Sequence, residues 1–183
     1  MNHEWVNLKR DVQAVTIPMG NTVLLKEGSS VMLHQALGGD YTLMTDQGYL
    51  ARIEGKDADS IGIYAEGGSP EVTGVDPNAT LDPVRVWDTF KAIYDPEIPV
   101  NVLDLGLIYD WNAEPVEGGG QVIKVKMTMT NPGCGMGNIL QNDVERKLRL
   151  VPGVRDVQVE IVFDPPWTMD KMSDAAKLKL GFL

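Results

Sequence analysis

The stretch TMTNPGCGMGN, residues 128–138, holds the only cysteine of the chain, Cys134, framed by Gly133, Gly135 and Gly137 and preceded by Pro132. A thiol can act as a nucleophile, a metal ligand or a redox partner, and each role needs the thiolate within reach of another atom. Three glycines remove side chains around the sulfur and let a ligand approach the backbone. Before the loop, QVIKVKMTMT alternates as a strand does, with Val122, Lys124, Lys126 and Thr128 against Ile123, Val125, Met127 and Met129. After it, Leu140, Val144 and Leu148 recur four apart, as on one face of a helix, until Pro152 and Gly153 stop the pattern. The cysteine therefore belongs to a loop that leads from a strand into a helix. There the free amides and the helix dipole favour the thiolate and lower its pKa.

Several chemistries compete for this loop. A lone cysteine is often a small buried hydrophobe, but these neighbours are polar or glycine. An anion-binding glycine loop is a second reading. A phosphate loop would end in Lys-Ser/Thr, and here Asn138 and Ile139 follow Gly137. A cysteine nucleophile needs a base beside it. The chain has only His3, in a terminus predicted to fray, and His34, far away in the N-terminal part. Iron–sulfur clusters and zinc take about four protein ligands, more than one thiolate and a few carboxylates supply. Any cluster would be shared with a second copy in a homodimer or with a client, which favours transient handling over storage.

A second cluster of chemistry lies upstream, in DPEIPVNVLDLGLIYD, residues 95–110. Asp95 and Glu97 flank Pro96 and could offer hard oxygen ligands to iron. Their negative charge would raise a nearby thiol's pKa and oppose the helix effect, unless a bound cation favoured both. A helix stop followed by a turn accounts equally well for Asp and Pro here, and both readings stand. The Asp104-Leu105-Gly106-Leu107 turn reads as structural.

The elements that must position these groups fall into two patterns. Residues 1–65 are β-rich: VQAVTIP, TVLLKEG and YTLMTDQGYLARI are short apolar runs cut by turns at Gly20, Gly28, Gly38–Gly39 and Asp46–Gly48. Residues 66–80, EGGSPEVTGVDPNAT, have a linker's composition. From residue 81 the expected order is helix, strand, strand, helix, strand, helix. The first helix is capped by Asp82, has Pro83 at its first position, and carries Val86, Phe90 and Ile93 on one face. The fold class is α+β, a small β-rich domain followed by helices packed on a small mixed sheet. Trp167, in the closing PPWTMDKMSDAAKLKLGF, is expected to pack back on the second domain with help from Met169 and Met172.

The totals narrow the function classes. The 183 residues carry a net charge of −10, against the basic stripe of a nucleic-acid binder. No run of about 18 apolar residues exists to span a membrane, and the start MNHEWVNLKRDVQAV lacks an apolar leader core. One cysteine cannot form an internal disulfide, so a reducing cytoplasm is the default compartment.

In one domain and in the same order, DPEIPVNVLDLGLIYD and VKMTMTNPGCGMG resemble the iron–sulfur assembly domain shared by PaaD-type accessory proteins and the eukaryotic cytosolic iron–sulfur targeting proteins, over residues 82 to about 163. The stretches LHQALGGDYTL, ARIEGKDADSIG and FDPPWTMDKMSDAAKLKLGF extend the likeness to the SufT-type members of that family. The broader family commonly has proline after the cysteine, where this chain has Gly135. The resemblance implies an auxiliary factor of the SUF system rather than an enzyme. Its partners would be the assembly machinery and apo-clients. Its pocket would draw on Asp95, Glu97, Thr130, Pro132 and Cys134. Cys134, with Asp95 and Glu97 beside it, would hold iron or a cluster only in transit, with no permanent cofactor. The residues alone leave two other classes open: a thiol enzyme with Cys134 as nucleophile, and an interaction adaptor with an incidental cysteine.

Overall fold

The computed structural model describes residues 5–64, 76–131 and 137–182. The chain divides into two compact units, residues 1–71 with 96–99, and residues 72–95 with 100–183.

The first unit is a six-stranded antiparallel sheet of β1 (Trp5–Asn7), β2 (Val12–Ile17), β3 (Thr22–Leu25), β4 (Ser30–Leu37), β5 (Asp40–Thr45) and β6 (Leu50–Ile53), in the order β1-β4-β5-β6-β2-β3. Between β1 and β2 the Leu8 amide donates to the Ser29 carbonyl and the Gly28 amide to that of Leu8, at 2.9 and 2.8 Å. Period-two alternation puts Val12 and Ala14 of β2, Leu43 of β5, and Ala51 and Ile53 of β6 into one core with Leu25 and Val31. β1 was not expected. Three residues are too short to show alternation, and they become a strand by pairing Trp5, Val6 and Asn7 with Met32, Val31 and Ser30. His3 lies outside the described residues, and His34 is exposed on β4.

A 3-10 turn, Gly55–Ile61, closes the unit, and Arg10 ties the chain before β2 to it. The Arg10 guanidinium donates to both Asp59 oxygens at 2.7 and 2.6 Å and to Asp57 Oδ1 at 2.8 Å. Such two-pronged bonds fix direction as well as distance.

The second unit opens on α1 (Pro83–Lys91), where Asp82 accepts from the Val84 amide at 2.9 Å and proline fills the first position. β7 (Ile108–Pro115), β8 (Gln121–Met127), α2 (Gly137–Leu148), β9 (Val154–Ile161) and α3 (Asp174–Leu180) follow, in the expected order. β8 is central, antiparallel to β7 and parallel to β9, so the sheet is mixed. Ile123, Val125 and Met127 point to the helices and are buried, with Val86, Phe90 and Ile93 of the α1 region and Leu140, Val144 and Leu148 of α2. Lys124 and Lys126 face the other way and are exposed.

Part of the linker-like segment belongs to this unit. Residues 65–75 lie outside the described residues, but the Gly153 amide donates to the Asp76 carbonyl at 3.0 Å. A Cβ on Gly153, whose φ is +88°, would meet the Ala79 carbonyl oxygen at 2.6 Å, so the chain crosses that glycine closely.

Arg10 makes the first unit acid-sensitive. Its hydrogen bonds hold the Asp59 carboxyl below the ordinary carboxylate range. A carboxyl whose folded pKa is depressed adds stability above its unfolded pKa, near 4. That contribution is lost as pH falls through the lower folded value. The melting temperature should therefore drop below about pH 4, and Arg10→Met should flatten that drop while lowering the plateau above it. An Arg10→Met variant with an unchanged acid limb would mean that other carboxyls set it.

Candidate functional site

The site is built around the turn Asp104–Leu107. Its amides bond inward: Leu105 to the Asn101 carbonyl, Gly106 to Leu103 and Leu107 to Val102, at 3.0, 2.9 and 2.9 Å. Leu105 and Leu107 are fully buried and anchor it. From it a hydrogen-bonded path runs both ways. The Val102 amide donates to the Ile93 carbonyl at 2.9 Å, Asn101 pairs with Tyr94, and the Asp95 amide donates to Val100 at 3.1 Å. Those bonds close the base of the acidic turn. On the other side the Thr128 amide donates to the Leu107 carbonyl at 2.8 Å, just past the end of β8. The two motifs of the sequence thus meet at one turn.

At the end of β8 the Val162 amide donates to the Met127 carbonyl at 2.8 Å, so Thr128 lies between the segments that precede β7 and follow β9. Thr128 is completely buried, and its hydroxyl has no hydrogen-bond partner among the described residues. Met129 is buried and Thr130 half-buried. Pro132 and Cys134 lie outside the described residues, within 132–136. Beyond them Gly137 opens α2 against β9: a Cβ there would stand 3.3 Å from Ile161 Cδ1 and 3.8 Å from Met129 Cγ. The chain on either side of residues 132–136 is therefore anchored, at Thr128 before them and at Gly137, the first residue of α2, after them.

The acidic pair divides. Asp95 is 3% exposed and belongs to the second unit; Glu97 is exposed and falls in the 96–99 segment grouped with the first. Both residues have bonding partners. Among the described residues no three of His, Cys, Asp or Glu stand close enough to hold a metal ion. The hydrogen-bonded framework of the second unit reaches Asp95 at one end and Thr128, two residues before Thr130, at the other.

The tail completes the framework. Trp167 donates its indole N–H to the Leu105 carbonyl at 2.8 Å. Tyr109 donates its hydroxyl to the Pro165 carbonyl at 2.8 Å, and the Lys171 ammonium stands 4.5 Å above the Tyr109 ring. Ser173 donates its hydroxyl to Asp104 Oδ1 at 2.9 Å and its amide to the Asp104 carbonyl at 2.8 Å. The Asn101 side-chain amide donates to Asp104 Oδ2 at 2.7 Å. The tail packs back on the second unit as expected, with Trp167 half-buried and Met172 buried. Met169 is 44% exposed and fills no gap, a correction to the expectation, because the 3-10 turn Met169–Lys171 directs it outward. Asn101, Thr128 and Ser173 were not singled out as site residues: Asn101 and Thr128 lie within the two motifs but carry no chemistry of their own there, and Ser173 reaches the turn by a bond that spans 69 positions.

The model of the family described as iron-sulfur cluster assembly protein matches residues 83–161, from α1 to the end of β9. A Fe-S protein maturation auxiliary factor of Porphyromonas gingivalis is 44% identical over 93 residues, 51% of this chain and 85% of that protein. The auxiliary factor SufT of Staphylococcus aureus is 42% identical over 89 residues, 49% of this chain and 97% of that protein. The auxiliary factor YitW of Bacillus subtilis is 38% identical over 97 residues, 53% of this chain and 91% of that protein. The fold of the second unit is α+β, and the relatives it matches are named as auxiliary factors of Fe-S protein maturation. This chain belongs to the iron–sulfur cluster assembly protein family, as the two motifs implied. The relatives correspond to about half of it, and the sheet β1–β6 lies outside the span that the family model matches.

Two substitutions test the framework. Gly106 has φ +69°, and a Cβ there would overlap the Lys171 carbonyl oxygen. Gly106→Ala should cost about 2–3 kcal/mol in urea unfolding, from backbone strain and displacement of the tail; a cost below about 0.5 kcal/mol would place the tail elsewhere. Thr128→Val keeps the shape and removes an unpartnered hydroxyl, so it should be neutral or stabilise by up to about 1–2 kcal/mol. A loss of that size would reveal a bond to this hydroxyl.

Proposed function

We propose that this chain is an auxiliary factor in iron–sulfur protein maturation that assists cluster delivery to apo-clients through a pocket around Cys134. Cys134 acts as a transient ligand or exchange thiol. Asp95 and Glu97 supply oxygen ligands, and Thr130 and Pro132 shape the loop. Iron or the cluster is cargo, held in passing by one thiolate and completed by ligands from a client, the assembly machinery or a second copy. Transfer is ligand exchange: a client thiolate replaces Cys134 on iron, and Cys134 takes up a proton, with no change of oxidation state. The chain works without a covalent turnover step of its own, in the cytoplasm. Among the described residues no helix is long and apolar enough to cross a membrane.

The observation that carries this reading is that relatives named for Fe–S maturation are covered over 85–97% of their own length. The test is anaerobic reconstitution with ferrous iron and sulfide, followed by activation of an apo-client. Wild type should activate the client and develop cluster absorption in its presence, and Cys134→Ser should lose at least about tenfold of the activation rate. Equal activation by Cys134→Ser would favour an adaptor with an incidental cysteine.

A further inference from the structure

We infer that the C-terminal segment 164–182 is a clasp that positions the acidic turn at Asp95, and that Ser173 is its positioning residue. The inference rests on the proposed function, since it assigns Asp95 to the working site. Three side chains in series carry the effect. Ser173 donates to one oxygen of Asp104, the Asn101 side-chain amide donates to the other, and the Asn101 backbone pairs with Tyr94, the residue before Asp95. The Asp104 amide returns a bond to Asn101 Oδ1 at 2.8 Å, so the Asn101 side chain is held from both ends. Asp104 is the joint, because both of its carboxylate oxygens are used and each accepts from a different segment. Ser173 also accepts from the Ala176 amide at 3.1 Å, which ties the clasp to the first turn of α3.

A general structural role fits this segment less well. Much of what the tail offers is polar and aimed at the turn: the Trp167 indole reaches the Leu105 carbonyl, and Ser173 reaches both the backbone and the side chain of Asp104. Its buried apolar residues are Met172 and Ala176, whereas the main core joins α1, α2 and the sheet through Phe90, Val125, Met127, Leu140 and Val144. The family-model match ends at residue 161, before the tail. A segment that bonds a site-bearing turn and adds little to the core sets the turn's conformation more than the stability of the fold.

The test compares full-length Ser173→Ala and Ser173→Thr with wild type by amide hydrogen exchange and by client activation. Ser173→Ala should speed exchange at the Asp95, Val102 and Asp104 amides about tenfold or more while β8 amides stay protected. Client activation should fall by about fivefold or more, and Ser173→Thr should restore both. Unchanged exchange at those three amides overturns the clasp, and so does faster exchange with undiminished activation. If Ser173→Ala exposes β8 as well, Trp167→Phe, which removes a single bond to the turn, repeats the measurement. Failure of wild type to activate any client would sink the maturation reading instead, and the exchange pattern would still decide whether the tail holds the turn.

Discussion

The second unit depends on how the chain closes at Asp104–Leu107. A backbone turn inside a protein must satisfy its own amides and carbonyls, because an unpaired buried group costs about 1–3 kcal/mol. This turn satisfies part of its need internally and passes the rest to a neighbour, Asn101, and to two distant segments. Asn101 takes one side, Thr128 another, and the tail through Trp167 and Ser173 the third. Gly106 makes the arrangement possible, since the Lys171 carbonyl occupies the space a side chain would need. One glycine therefore fixes where the acidic turn, the end of β8 and the tail meet.

That convergence bears on the chemistry at the cysteine loop. The segments on either side of residues 132–136 are anchored for different reasons. Thr128 is bonded into the ladder next to Leu107, and Gly137 lets α2 start hard against Ile161 and Met129.

The first unit is stabilised by other means. Its strands are short and its core small, and charged side chains at the rim supply direction. Arg10 fixes the 3-10 turn by bonds to Asp57 and Asp59, and Arg52 donates to Asp40 at 2.7 Å with both side chains almost buried. A paired, nearly buried Arg–Asp couple sets geometry more surely than it adds stability, because desolvation offsets much of the attraction.

Local chemistry made much of this legible in the sequence. Helical spacing placed Val86, Phe90, Leu140, Val144 and Leu148 in the core, alternation placed Ile123, Val125 and Met127 there, and Asp82 with Pro83 marked the start of α1. Those signals act within a few residues, so they survive without the fold. The two motifs also carried the family, because residue type at fixed spacing is itself a sequence property. The tertiary structure alone decided that β1 is a strand, that Asp76 to Leu81 lie along the second unit, and that Asn101, Asp104 and Ser173 form one chain of bonds. Each of these depends on a partner far away in sequence, as Ser173 depends on Asp104. No local pattern encodes a hydrogen bond whose two ends are brought together only when the sheet and helices have closed around Leu105 and Leu107.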